Sequence, residues 1–233
     1  MMNLKENMNN KVLISVLLCT RNNESSIEKA VESILMQKYQ NIELLIMDDF
    51  SDDKTFDLIS NLKDPRIKIF QNFKTIGLTK SLNLLIKKSS GEIIARQDGD
   101  DFSHVDRLGE QLNYLNQKQL SACVTRAINI ENRKLTPRLS FYLPFNISSK
   151  FKNPYIHGTL MVKKDDLVSV GGYDEKFYYS QDYKLYIDLH NSGKKIYSLN
   201  KPLYYLNTKN NISTNHRLEQ KYYFDCARKG LEP

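Results

Sequence analysis

Three carboxylates crowd the end of one apolar strand, in the segment GEIIARQDGDDF (91–102). Asp98, Asp100 and Asp101 surround a single glycine. Like charges this close raise one another's pKa unless a cation or hydrogen-bond donors compensate. A hard divalent cation takes carboxylate oxygens as ligands, whereas an exposed turn rich in Asp and Gly is the competing explanation. Taken alone, the segment favours neither a metal site nor a turn.

Polar residues also follow two other apolar runs. CTRNNE (19–24) comes at the end of KVLISVLLCT (11–20), and MDDFSDD (47–53) comes at the end of IELLIMDD (42–49). In parallel sheets, ligands bind outside the carboxyl ends of the strands. Two acidic clusters at one such edge therefore favour a site that binds an anion with the help of a cation.

Strand and helix patterns alternate in the first half of the chain, which predicts a parallel sheet with helices on its faces. Strand patterns occupy 11–20, 42–49, 66–72 and 92–98, of which 66–72 alternates polar and apolar residues, and helical spacing occupies 25–39, 53–62 and 78–89. In the second half, the patterns predict a helix at 104–117, a strand at 121–130 and an irregular basic and aromatic segment at 131–151. A strand, a short helix and a Gly-Gly turn follow at 157–177, and a last helix at 181–193.

Composition indicates one soluble globular domain. The 233 residues are 40% hydrophobic and 26% charged, and no run approaches the length of a membrane span. The N-terminus carries no apolar targeting segment, so we expect a cytoplasmic protein in which residues 1–10 are flexible. The three cysteines are widely spaced without a CxxC pair, which indicates neither a disulfide framework nor a zinc knuckle.

The charge is distributed unevenly. Residues 1–120 hold 16 Lys/Arg and 17 Asp/Glu, whereas residues 121–233 hold 18 and 10. A basic half is typical of proteins that face nucleic acid, an anionic membrane or a phosphorylated substrate, and also of ordinary soluble surfaces. The aromatic residues have no Lys/Arg stripe beside them, so we expect no nucleic-acid partner. GxGxxG and GxxxxGKS/T are absent, which disfavours dinucleotide-dependent oxidoreductases and P-loop NTPases.

Several blocks, in this order, resemble the family 2 glycosyltransferases of the GT-A fold. They are ISVLLCTRNNESSIEKAVESILMQKYQNIELLIMDDFSDDKT, GLTKSLNLLIKKSSGEIIARQDGDD, VGGYDEKF and QDYKLYIDL. The resemblance implies an α/β, Rossmann-like, mostly parallel sheet flanked by helices, with a nucleotide-sugar site at its C-terminal strand edge. Residues 11–205 would form the catalytic domain, with 11–102 as the nucleotide-sugar half and 103–205 as the acceptor half. Residues 206–233 would be a basic tail.

The family implies direct displacement with inversion at the anomeric carbon. The donor would be a nucleotide-diphospho-sugar, most often UDP-linked, and Mn²⁺ or Mg²⁺ would neutralise its diphosphate. The acceptor would be a glycan or a lipid-linked hydroxyl in bacterial surface polysaccharide or lipooligosaccharide synthesis. A nucleotidyltransferase of related fold, and a non-catalytic module that binds a nucleotide-sugar or nucleic acid, remain alternatives. The basic second half adds the hypothesis of peripheral contact with an anionic membrane, at the inner face of the plasma membrane.

The resemblance also assigns roles on the donor side. Asp100 would ligate the metal, and Asp98 would contact the ribose or reach the metal through water, with Asp101 in a minor part. Thr20, Asn22 and Glu24 belong to the segment beside the nucleotide, where Arg21 replaces the usual aromatic residue and Cys19 the usual proline. Asp49 would accept a hydrogen bond from the uracil N3–H. Lys80 or Arg107 would assist at the diphosphate, although both residue types at such positions are typical of a helix surface.

On the acceptor side, Asp182 would be the catalytic base. It follows Gln181 at the start of the last predicted helix, where the helix dipole stabilises a carboxylate; a helix-capping aspartate is the competing explanation. Gln181 stands where the family often has an acidic residue, and it would contact the acceptor. His157 would lie near the reaction centre on the same side.

Overall fold

The computed structural model describes residues 12–209 and 216–233, within which nine strands form one sheet. The prediction for residues 1–10 lies outside the described residues. The spatial order of the strands is β3-β2-β1-β4-β8-β6-β9-β5, with β7 paired to β6. The strands are β1 (Ile14–Thr20), β2 (Ile42–Asp48), β3 (Ile67–Gln71), β4 (Ile93–Asp98), β5 (Phe102–Ser103), β6 (Ala122–Asn129), β7 (Leu135–Thr136), β8 (Met161–Lys163) and β9 (Ile196–Leu206).

The four strands of the first half are parallel, as predicted. Cys19 pairs with Asp98 across β1 and β4, and Thr20 pairs with Asp48 across β1 and β2. This register aligns the carboxyl ends of the three strands, so the polar segments that follow them start from one edge of the sheet. In the other half, β8 is antiparallel to β4 and β6, whereas β9 runs parallel to β6.

Helices cover both faces of the sheet, because alternate residues of the buried strands point to opposite sides. The helices are α1 (Ile27–Leu35), α2 (Thr55–Ser60), α3 (Leu78–Lys88), α4 (Arg107–Gln117), α5 (Phe145–Ser148), α6 (Lys164–Ser169), α7 (Gln181–Asn191) and α8 (Arg217–Lys229). One core packs Val16 and Leu18 of β1 against α1, α2 and α4. The other packs Leu17 of β1 against α3, α6 and α7.

The segment predicted as a basic tail, 206–233, contains a helix that packs on the body of the domain. Cys226 and Ala227 of α8 are buried in a third core, against Phe177 and Tyr183. The sequence analysis did not predict this contact, because α8 is strongly charged and buries only two of its side chains. Among the helices of the described residues, none has the length and apolar character needed to cross a membrane.

Candidate active site

A cavity of about 730 Å³ lies at the carboxyl ends of β1 and β4. Its lining comes from the β1–α1 loop, the β4–β5 turn, the segment 178–182, the end of β9 and α8. It brings together six of the residues to which the resemblance assigned a donor, acceptor or metal role: Asn22, Asp98, Asp100, His157, Gln181 and Asp182. Asp101 lines it as well. Four others, Thr20, Glu24, Asp49 and Lys80, do not line it.

Asp98 is held at the end of β4 by a buried arginine. The Arg96 guanidinium donates to Asp98 Oδ1 through Nη2, and its Nη1 lies 3.0 Å from the carbonyl oxygens of both Leu17 and Gln97. The Arg96 side chain is 1% exposed and that of Asp98 is 30% exposed. A buried guanidinium is costly without a partner, so this pair ties the orientation of Asp98 to the core.

A second buried arginine supports the backbone of the same strand. Arg107 donates to the carbonyl oxygens of Arg96 (3.0 Å) and Gly158 (3.1 Å). Its guanidinium carbon also lies 5.4 Å from the centre of the Tyr204 ring. Arg107 was expected either to assist at the diphosphate or to lie on a helix surface. The second alternative is wrong, because Arg107 is 0% exposed, and its Nη1 and Nη2 donate to backbone carbonyl oxygens rather than to the cavity.

Asp100 and Asp101 differ in their partners. Asp101 is buried, and its Oδ1 accepts a hydrogen bond from the backbone N–H of Asn207 (2.6 Å). Burial, together with the charges of Asp98 and Asp100, raises the pKa of Asp101. Asp100 lines the cavity. Its pKa is raised to about 6, mainly by burial and to a smaller extent by the charge of Asp98. Both carboxylates line the cavity, but Asp101 is held by a backbone N–H, whereas Asp100 offers a carboxylate that a cation would stabilise.

The carboxylate oxygens in the cavity are suited to a hard divalent ion that also binds a substrate. Asp98 and Asp100 both line the cavity and offer carboxylate oxygens, which Mn²⁺ and Mg²⁺ accept. Within residues 12–209 and 216–233, no three His, Cys, Asp or Glu side chains are grouped so as to hold a metal by themselves. One or two carboxylates completed by substrate phosphate oxygens are the usual arrangement for Mg²⁺.

Asp182 enters the cavity from the first turn of α7. Its Oδ2 accepts a hydrogen bond from Asn153 Nδ2 (2.6 Å). Burial raises the pKa of Asp182 to about 6, and the charge of Asp98 adds to the rise, although backbone N–H groups of the helix start oppose it. A carboxylate with a pKa closer to neutrality is a stronger base than an ordinary aspartate, yet it is largely ionised at pH 7.

The residue before this turn has an unusual backbone conformation. Ser180 adopts the left-handed conformation (φ 52°, ψ 25°), which costs a non-glycine residue free energy. Its hydroxyl lies 3.0 Å from the carbonyl oxygen and also 3.0 Å from the side-chain Oε1 of Gln220, on α8. The last helix of the chain therefore helps to fix the start of α7.

His157 and Gln181 complete the acceptor side of the cavity. His157 Nε2 lies 2.7 Å from the Tyr173 hydroxyl. Burial and the nearby charge of Arg96 lower the pKa of His157 well below its usual value, so the imidazole is neutral at pH 7. Gln181 is buried and lines the cavity beside Asp182.

The β1–α1 loop is fastened to the loop after β2. Asn22 Oδ1 accepts from the backbone N–H of Asp52 (3.0 Å), and Glu24 Oε2 accepts from that of Lys54 (3.0 Å). Thr20 is buried, and its hydroxyl accepts from Asn23 Nδ2 (3.0 Å). Asn22 thus lines the cavity, whereas Thr20 and Glu24 hold the loop that presents it.

Asp49 and Lys80 lie apart from the cavity lining. Asp49 Oδ1 accepts hydrogen bonds from Asn72 Nδ2 (2.8 Å) and the N–H of Ile76 (2.9 Å), and Oδ2 accepts from the N–H of Gly77 (2.8 Å). Its carboxylate therefore shapes the loop before α3, and a uracil N3–H would have to share these oxygens. Lys80 is exposed on α3.

A protein-family model decides the class of the protein. The model described as glycosyl transferase family 2 matches residues 15–178, more than half of the chain, including Asp98 and Asp100. The chain belongs to glycosyl transferase family 2. This membership decides against the nucleotidyltransferase and nucleic-acid-binding alternatives.

Individual relatives agree with the family. The O-antigen biosynthesis glycosyltransferase WbnJ of Escherichia coli is 32% identical over 228 residues, which cover 94% of this chain and 87% of that protein. An uncharacterized glycosyltransferase of Haemophilus influenzae is 38% identical over 113 residues, or 48% of this chain, and the chain spans only 45% of that relative. The UDP-Glc:alpha-D-GlcNAc-diphosphoundecaprenol beta-1,3-glucosyltransferase WfaP of E. coli is 33% identical over 108 residues, 46% of this chain and 43% of that protein.

Solved structures confirm the GT-A fold. S. aureus TarS 1-349 in complex with UDP superposes with a TM-score of 0.74 at 18% identity, over 92% of this chain and 64% of that chain. The mannosyltransferase PcManGT from Pyrobaculum calidifontis, in complex with GDP-Man and Mn²⁺, gives a TM-score of 0.74 at 18% identity, over 94% and 65%.

Sequence reasoning missed three residues that organise the site of this glycosyltransferase: Arg96, Asn153 and Gln220. Arg96 did leave a signal, because an arginine inside the apolar strand IIARQD needs a buried partner. Asn153 and Gln220 left none, since each reaches its partner only through the folding of distant segments.

Proposed function

We propose that this glycosyltransferase moves a sugar from a UDP-sugar to a hydroxyl of a glycan or lipid-linked acceptor, with inversion and with a divalent metal. One observation carries the proposal: the carboxylates of Asp98 and Asp100 and the carboxylate of Asp182 line a single cavity. The first two are suited to a metal-bound diphosphate, and the third is suited to remove a proton. UDP in TarS, Mn²⁺ in PcManGT and the diphosphoundecaprenol-linked substrate in the name of WfaP support this choice of ligands.

Asp182 acts as the base in this scheme. Its carboxylate accepts the proton of the acceptor hydroxyl while that oxygen forms a bond to the anomeric carbon. The bond between this carbon and the UDP oxygen breaks at the same time, and UDP leaves with the electron pair. The hydrogen bond from Asn153 orients the carboxylate, and it also stabilises the ionised form that the reaction needs.

Asp98 and Asp100 serve the donor. Together they would hold Mn²⁺ or Mg²⁺, which when bound stabilises the negative charge that develops on the leaving diphosphate. Arg96 pairs with Asp98 and fixes the direction of its carboxylate. Asn22 lines the cavity and offers hydrogen bonds to the nucleotide, whereas neutral His157 and Gln181 offer polar contacts to the acceptor. Asp49 and Lys80 remain predicted nucleotide contacts.

Calorimetric titration of UDP tests the donor side. We expect binding by the wild type to require Mn²⁺, and we expect Asp100→Asn to weaken it at least tenfold. Asp182→Asn is the matched control, because it removes a carboxylate of the same cavity without touching the metal pair. Equal UDP binding by wild type and Asp100→Asn, with or without Mn²⁺, would refute the metal site.

Transfer assays test the acceptor side. With UDP-sugars screened against the acceptor class, Asp182→Asn should retain UDP binding but lose transfer by at least about a hundredfold, the usual contribution of a positioned base. The anomeric configuration of the product, determined by NMR, decides between inversion and retention. Full transfer activity in Asp182→Asn would exclude Asp182 as the base.

A further inference from the structure

An exposed apolar patch stands on the irregular segment between β7 and β8. We define it by five large apolar side chains that solvent reaches: Leu139, Tyr142, Leu143, Ile147 and Phe151. Leu139 is 84% exposed and Phe151 is 79% exposed. Single exposed apolar residues are ordinary, but five within thirteen residues are a local concentration of exposed apolar side chains, which is typical of a contact site.

The patch has a fixed base. Arg126 of β6 donates to the carbonyl oxygen of Pro137 through Nε (3.2 Å) and Nη2 (2.9 Å), and its guanidinium carbon lies 4.8 Å from the centre of the Phe141 ring. The Tyr183 hydroxyl donates to the carbonyl oxygen of Ser149 (2.7 Å). The segment is therefore secured to the sheet and to α7 while its apolar side chains point outward.

Beside the patch runs a groove of about 1260 Å³, between this segment, α7 and the end of α8. Five basic side chains line it: Lys150, Lys194, Lys195, Arg228 and Lys229. Its lining among the described residues contains no Asp or Glu. Lys194 and Arg228 form ion pairs with nearby aspartates, whereas Lys150, Lys195 and Lys229 form no ion pair within the part of the chain that the structure describes.

Apolar side chains bordered by unneutralised basic groups match the surface of an anionic bilayer. Such a surface accepts apolar side chains at its acyl boundary and attracts basic ones to its headgroups. We propose that the apolar patch and the basic groove together bind an anionic lipid bilayer.

The position of the patch suggests a use for this contact. Asn153, two residues after Phe151, donates to Asp182, and Tyr183 joins the helix of Asp182 to the patch segment. A bilayer held at the patch would therefore lie on the acceptor side of the cavity. This link to a lipid-linked acceptor rests on the proposed function, whereas bilayer binding itself does not.

Cosedimentation with vesicles tests the binding. We expect the wild type to bind vesicles of phosphatidylcholine mixed with phosphatidylglycerol, more weakly as salt increases, and not to bind phosphatidylcholine alone. The double variant Leu139→Ser/Phe151→Ser should bind at least about tenfold less, because it removes two apolar side chains from the contact. The matched control is Phe73→Ser, since Phe73 is 99% exposed and lies outside the patch.

The basic groove has a separate test. Lys150→Gln and Lys195→Gln should each weaken binding to anionic vesicles about fivefold. No binding, equal binding to both kinds of vesicle, or equal losses in Phe73→Ser and the double variant would overturn the proposal. So would a concentration-dependent dimer without lipid that the double variant abolishes, because the patch would then join two copies of the chain.

A fluorescence probe locates the contact. The chain contains no tryptophan, so Leu139→Trp introduces a single reporter on the patch and Phe73→Trp a single reporter away from it. Anionic vesicles should shift the Leu139→Trp emission to the blue, and brominated lipids should quench it, while Phe73→Trp stays unchanged. The reverse pattern would contradict the assignment of this surface.

Calorimetry separates this proposal from the function. The double variant should bind UDP as the wild type does. A wild type that binds vesicles but not UDP would refute the proposed function alone. A wild type that binds UDP but not vesicles would refute the bilayer contact alone.

Discussion

Replacing Asp182 by asparagine should stabilise the metal-free protein at neutral pH while it abolishes transfer. Folding buries the Asp182 carboxyl away from water, and this burial raises its pKa from 3.8 to about 6. Burying the ionised carboxylate therefore costs the folded state free energy. Asparagine avoids that cost, and its side-chain oxygen can still accept the hydrogen bond from Asn153.

The size and the direction of the effect follow from linkage. A shift of about two pKa units at 1.36 kcal/mol each gives up to about 3 kcal/mol. Between pH 3.8 and about 6, the folded wild type holds the Asp182 proton that the unfolded chain has released. The contribution of Asp182 to stability therefore decreases as pH rises through this window, and it is constant above. The advantage of Asp182→Asn should be absent near pH 4 and complete by pH 8.

Urea denaturation in EDTA, at several pH values between these limits, measures the difference. The matched control is Asp165→Asn, because Asp165 is an exposed aspartate in the first turn of α6 and should change stability by less than about 0.5 kcal/mol. A variant less stable than the wild type at pH 8, or a stability difference that does not change with pH, would refute the reasoning. In that case the carboxylate would be solvated or paired in the folded protein.

Three further substitutions test the scaffold of the site. Arg96→Met leaves the carboxylate of Asp98 without its partner and should lower the free energy of unfolding by about 3 kcal/mol in denaturation; no loss would mean that the buried pair contributes little. Asn153→Ala removes a hydrogen bond to the catalytic base and should move the acidic limb of the pH–rate profile upward by up to about one unit; a downward shift would contradict it. Gly158→Ala places a Cβ against the Tyr204 hydroxyl and against Asp98 Oδ2 (2.6 Å), and it should weaken Mn²⁺-dependent UDP binding in calorimetry. Gly193→Ala, with a φ of 71° and open space around the added Cβ, should affect stability alone. Equal losses of UDP binding in the two variants would argue against the clash.

Much of the fold could be predicted because its signals are local. Continuous apolar runs marked β1, β2 and β4, and helical spacing marked the helices between them. The ends of the helices were predicted less well. The helix predicted over 25–39 ends at Leu35, because the chain turns there to enter β2. The helix α8 escaped prediction because it buries only Cys226 and Ala227, which is too little for a clear apolar stripe.

The sequence by itself determined which strand ends meet. In a parallel sheet all carboxyl ends lie at one edge whatever the strand order, so Asp98 and Asp100 had to emerge at the edge where Asn22 emerges. Tertiary structure alone decided what each side chain does there. Local patterns set backbone direction and burial, but a hydrogen bond between distant segments depends on how layers pack. That packing turned Arg107 inward, engaged Asp49 with the loop before α3, and brought Asn153 to Asp182.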